Sequence, residues 1–182
     1  KRERRKVELR QDTYLFSRGE TREYRGKYLD AISLPLGGMG AGCIQIDGRA
    51  RRHVWQIFGN YRYAEIPDSF FAVRAREQDG EAVVRALQTV AAGPFPAMTE
   101  LAFRGEYPFG WYAFEDSKLP VRVEMKVFSP MIPLNTKDSA IPCVLFNLTA
   151  RNPGDKPVEV SFLATQQNAV GFTDSDTAAE DR

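Results

Sequence analysis

The amino-acid sequence predicts an all-β fold, an antiparallel β-sandwich with few or no helices. Three features carry that expectation. Short apolar runs alternate with polar residues at a period of two, Gly, Pro, Asn and Asp punctuate the runs, and long helical patterns are hard to find. The clearest run is 121–127, where Val121, Val123, Met125 and Val127 face one way and Arg122, Glu124 and Lys126 the other. That is the pattern of a strand with one buried and one wet face.

The remaining elements follow from the same logic. Val144, Phe146, Leu148 and Ala150 share one face of a strand, with Asn147 and Thr149 opposite. Asn152-Pro153-Gly154-Asp155 then predicts a reversal into a partner strand, in which Val158, Val160 and Phe162 alternate with Glu159 and Ser161. Pro presets φ and Gly accepts a left-handed site, so the two runs read as a hairpin. Asp79-Gly80 predicts a second hairpin between FFAVRARE and AVVRAL. The alanine-rich stretch from Glu81 to Ala92 reads as strand, because Val83, Val84, Thr89 and Val90 are β-branched. Gly93-Pro94-Phe95-Pro96 ends it.

With 182 residues the chain can bury roughly 70% of its unfolded surface, enough for one large sandwich. The expected organisation is an N-terminal arm over 1–28, a sandwich over 29–172, and a polar tail or truncation point over 173–182. The 25 basic and 24 acidic residues nearly cancel, which leaves no global field for nucleic acid. The KRERRK start reads as a solvated arm. No apolar run approaches the ~18 residues of a transmembrane helix, and none reads as an export leader. Cys43 and Cys143 are too few for a disulfide framework and form no C-x-x-C pair; they read as buried free thiols.

The glycine cluster LPLGGMGAG, Leu34 to Gly42, invites a phosphate-loop reading. It gives G-x-G-x-G with Cys43 where a dinucleotide fingerprint needs glycine, and no Lys-Ser or Lys-Thr follows. The favoured reading is a tightly packed loop before a strand beginning at CIQI. His53 is the only histidine and has no metal partner at ligand spacing, so it reads as a surface or interface residue; no cofactor and no metal is expected. The 24 acids single out no catalytic pair, and Glu115, Asp116 and Glu124 read as solvated acids at strand ends or on outward faces. Two aromatic segments, Trp55–Tyr63 and Tyr107–Phe114, read as core and interface packing, with a carbohydrate platform as the alternative. Asn147-Leu148-Thr149 matches a glycosylation acceptor but falls inside a strand.

Taken in order, the motifs SLPLGGMGAG, WQIFGNY, PDSFFAVR, FRGEYPFGWYAFED, LPVRVEMKVFSPMIPLN, DSAIPC and NAVG resemble the N-terminal domain of glycoside hydrolase family 116. That family contains the non-lysosomal glucosylceramidases and related β-glucosidases. The resemblance extends from about Leu29 to Gly171. It implies a large β-sandwich ahead of an α/α toroid that carries the nucleophilic Glu and the acid/base Asp, so no catalytic residue transfers to this chain. The implied partner is that downstream catalytic domain, with a β-glucoside or glycolipid substrate bound through it. Composition then nominates Gly37, Gly38, Gly40, Gly42, Trp55, Phe58, Asn60 and Tyr61 for the interdomain surface. Alternatives are a free-standing carbohydrate-binding module and a purely structural sandwich.

Overall fold

The computed structural model describes residues 2–13, 17, 19, 21–56 and 68–168. Within them, antiparallel strands form three sheets. The large sheet has the order β1-β7-β8-β9-β10, built from Tyr24–Arg25, Glu100–Glu106, Phe109–Glu115, Arg122–Phe128 and Leu145–Arg151. A second sheet is the meander β2-β3-β4, Ser33–Leu36, Cys43–Asp47 and Arg52–Gln56. The third is β11-β5-β6, Val158–Ala164, Phe71–Glu77 and Val83–Ala86. Residues 2–6 of the KRERRK arm lie in a helix, α1 (Arg2–Gln11), in which Arg5 and Lys6 are exposed, and a 3₁₀ helix spans Gly26–Ala31.

One core joins the three sheets. The large sheet contributes Leu101, Phe103, Tyr112, Phe114, Val123, Met125 and Val127; the second contributes Leu34, Leu36, Ile44 and Ile46; the third contributes Val73 and Ala75. Burying each large side chain of this set is worth about 1.5–3 kcal/mol. Two contacts key the second sheet onto the first. The Tyr112 hydroxyl donates to the Asp47 carbonyl at 3.1 Å, and Gly110 leaves room that Leu34 fills. The third sheet meets the large one through Phe71 and Phe146, whose rings lie 4.9 Å apart. The alternation expected over 121–127 is the pattern found, with Val121, Val123, Met125 and Val127 buried.

Three local expectations need correction. The N-P-G-D turn does reverse the chain, with Asn152 Oδ1 accepting from the Gly154 N–H and Asn152 Nδ2 donating to the Lys156 carbonyl. It does not make a hairpin, because β10 pairs with β9 while β11 pairs with β5. The turn is a corner between sheets: Phe146, Leu148 and Ala150 of β10 and Val158 and Val160 of β11 pack half-buried against the core from different layers, while Phe162 stays exposed. The Asp79-Gly80 pairing of β5 with β6 is found, but Gly80 occupies the fourth position of a turn closed by its N–H on the Glu77 carbonyl. The strand expected over Glu81–Ala92 stops at Ala86. Beyond it the chain folds over the outer side of the third sheet, where Phe70, Ala72, Ala86 and Ala92 form a small second cluster with Phe95 against it.

Candidate functional site

The glycine loop joins β2 to β3 at one end of the second sheet. Its approach strand alternates, with Leu34 and Leu36 buried and Ser33 and Pro35 exposed. The loop is stitched to the segment between β9 and β10. The Gly37 N–H donates to Ser129 Oγ at 2.8 Å, and Ser129 Oγ donates onward to the Cys143 carbonyl. The Met39 N–H donates to the Ser139 carbonyl at 2.8 Å. Gly38 is buried, and a Cβ there would stand 2.5 Å from the carbonyl oxygens of Ala140 and Ile141. No side chain fits that space. Gly40 and Gly42 are exposed and left-handed, at φ +74° and +88°.

The facing segment is rigid for reasons visible in its sequence. A short helix, α2 (Thr136–Ser139), is capped by Asn135, whose Oδ1 accepts from the Asp138 N–H. Ser139 Oγ clasps Ile132 twice, accepting from its N–H and donating to its carbonyl. A small cavity runs between the loop, this segment and the β7–β8 turn, lined by Leu36, Gly37, Met39, Tyr107, Pro130 and Met131 among others. Met39, Tyr107, Met131, Ile132 and Ile141 are exposed around it. The sandwich end is therefore apolar as well as rigid.

Of the nominated residues, Gly37, Gly38, Gly40, Gly42 and Trp55 are described, while Phe58, Asn60 and Tyr61 lie outside the described residues. Register brings Trp55 to this end, because Ile44 pairs with Trp55 and Cys43 with Gln56. Trp55 is half-buried, and its indole N–H is buried without a hydrogen-bond partner among the described residues. His53 sits where the β3–β4 register shifts, with Nε2 3.3 Å from Ser33 Oγ. Both cysteines are free and half-buried, with Cys43 Sγ donating to Gln56 Oε1.

Glu124 is exposed, as expected, but several other acids have defined partners. Asp116, expected to be solvated, is instead withdrawn from water and paired with Arg85 at 2.6 Å. It also accepts from Thr99 Oγ1 and the Lys118 N–H. Burial pushes its carboxyl up, but the Arg85 guanidinium and the two other donors outweigh burial and hold it below the usual carboxylate range. Glu159 bridges Arg74 and Arg76, and Arg25 joins Glu23, Glu100 and Glu115. Among the described residues, no three His, Cys, Asp or Glu side chains converge as metal ligands.

Arg52 is a residue whose role the sequence did not signal. Burial lowers its pKa to about 10. Its guanidinium donates to the Ser69 and Thr165 carbonyls and to Gln166 Oε1, and lies over the Phe71 ring at 4.8 Å. It ties β4 to one end of the third sheet, where the start of β5 lies beside the end of β11. The aromatic run 107–114 splits by alternation. Tyr112 and Phe114 enter the core, while Phe109 and Trp111 lie half-buried on the outer face of the large sheet. There Arg104 covers Trp111 at 4.3 Å, and Lys126 covers Phe109 at 4.3 Å. Those ring faces are engaged by cations, which weakens the case for an open sugar platform.

Fold and loop end together define an antiparallel β-sandwich domain of the all-β class. A family model described as beta-glucosidase 2, glycosyl-hydrolase family 116 N-term, matches residues 33–182, and the chain belongs to that family. No described helix is long and apolar enough to cross a membrane.

Proposed function

We propose that this domain is the non-catalytic support of a retaining β-glycosidase, packing on a downstream α/α catalytic domain through its glycine-loop end. The observation that carries the reading is the stitching of Gly37, Gly38 and Met39 onto the 129–141 segment, in a chain that belongs to the family's N-terminal domain. A rigid apolar end suits a permanent contact that holds active-site loops in productive geometry. Gly40, Gly42 and the Trp55 side of the second sheet border the same contact, and β-glucosides, glycolipids included, bind through the catalytic domain.

Retention requires two carboxyl groups about 5–5.5 Å apart across a sugar, one of them poised as a proton donor. The paired acids of this domain are held by arginines, which favour the charged form and remove a proton donor at neutral pH. Residues 1–182 should therefore leave an aryl β-glucoside intact. The parent protein should hydrolyse it and release a β-configured sugar first, read by NMR. Turnover by residues 1–182 alone, abolished by replacing a single Asp or Glu within them, would sink the reading.

A further inference from the structure

The turn that precedes α2 carries a leucine where a turn of this shape favours glycine. The Asn135 N–H donates to the Ile132 carbonyl at 3.0 Å, which places Pro133 and Leu134 at the centre of the turn. Leu134 has φ +65°, the sign that type II geometry demands at its position. A Cβ is sterically disfavoured there, and glycine or asparagine would relieve the strain. Leu134 is also fully exposed, so it recovers none of that cost by packing within the domain.

Everything beneath this side chain is fixed. Pro133 presets one side of the turn, Asn135 caps α2 on the other, and Ser139 clasps Ile132. The same Ser139 receives the Met39 N–H of the glycine loop. Among the described residues, Met39, Tyr107, Met131, Ile132 and Ile141 are exposed apolar side chains at this end of the sandwich. A strained, preorganised apolar knob at the edge of an apolar rim is the anatomy of a binding anchor, whose ordering cost is met before binding.

We propose that Leu134 is the docking anchor of this domain, inserted into an apolar pocket on the catalytic domain of the same protein. The inference rests on the proposed presence of that domain. A neighbour in the same protein is preferred over a second copy, because the chain matches a family model described as N-terminal, and a domain tethered to it would have an effective concentration on the order of millimolar. An apolar rim likewise fits a permanent contact better than a transient one.

The test uses the full-length protein with Leu134→Gly, which removes both the knob and the strain, and Leu134→Met, which keeps apolar reach. Glycine is the residue the turn favours, so the variant's folding is not at risk. Limited proteolysis of the junction between the domains is the first readout and oligomeric mass the second. We expect Leu134→Gly to raise the cleavage rate about tenfold, Leu134→Met to stay within about twofold of the parent, and the mass to remain unchanged. Cleavage unaltered by Leu134→Gly would overturn the proposal. So would a halving of mass without faster cleavage, which would identify a second copy as the occupant. Absence of β-glucoside turnover in the parent protein would count against the proposed function alone, since the proteolysis reads domain contact independently of activity.

Discussion

A carboxylate withdrawn from water keeps its charge only with partners, and Asp116 has three: Arg85, Thr99 and the Lys118 N–H. Removing its charge while leaving Arg85 in place strands a largely buried cation, which costs about 3 kcal/mol. Asp116→Asn should lower urea-unfolding stability by that order at pH 7. The acid dependence has a defined sign. Because the folded carboxyl lies below its ordinary value, the pair's contribution is full above about pH 4 and fades as pH falls through the folded value. A stability profile of the Asn variant should therefore lose part of the parent's decline below about pH 4; a decline of the same steepness would argue against the pair. Asp116 also marks where sequence reading stops. A lone Asp at a strand end looks solvated, and only the fold brings Arg85 from β6 to meet it.

At the scale of elements, the glycine loop separates two reasons for having no side chain. Gly38 lacks space, facing the carbonyls of Ala140 and Ile141 at 2.5 Å from where a Cβ would lie. Gly40 has open space but a left-handed backbone. Gly38→Ala forces two chain segments apart and should cost about 2–3 kcal/mol, whereas Gly40→Ala should cost about 1 kcal/mol. Chemical denaturation of the two variants checks the order, and equal costs would mean that the loop does not pack as described. The expectation of a tightly packed loop holds at Gly37 and Gly38 and fails at Gly40 and Gly42, which are exposed; which glycine meets which carbonyl was not legible. The strands divide in the same way. The 121–127 strand announced itself by alternation, and β5 with β6 by the intervening Asp-Gly. The partners of β10 and β11 were hidden, because a turn motif encodes reversal of the chain and says nothing about which layer the next strand joins. Arg52 was hidden for the same reason, since its acceptors at Ser69, Thr165 and Gln166 lie far along the chain.

For the whole molecule, the large sheet faces two smaller ones across a single core. β11 adds half-buried Val158 and Val160 to that core and lies at the edge of the third sheet against β5. The pairing has a consequence for biosynthesis. Residues that touch across it, such as Arg74 and Glu159, are 85 positions apart. A ribosome adding 5–20 residues per second takes roughly 4–17 s to cover that distance. For most of that interval the nascent β5 has β6 on one side and a vacant hydrogen-bonding edge on the other. Val73 and Ala75 wait with it for a strand not yet translated. Unpaired edges recruit stray strands, so this is a window in which a chaperone's grip on the emerging polypeptide would matter more than at any later stage of its life.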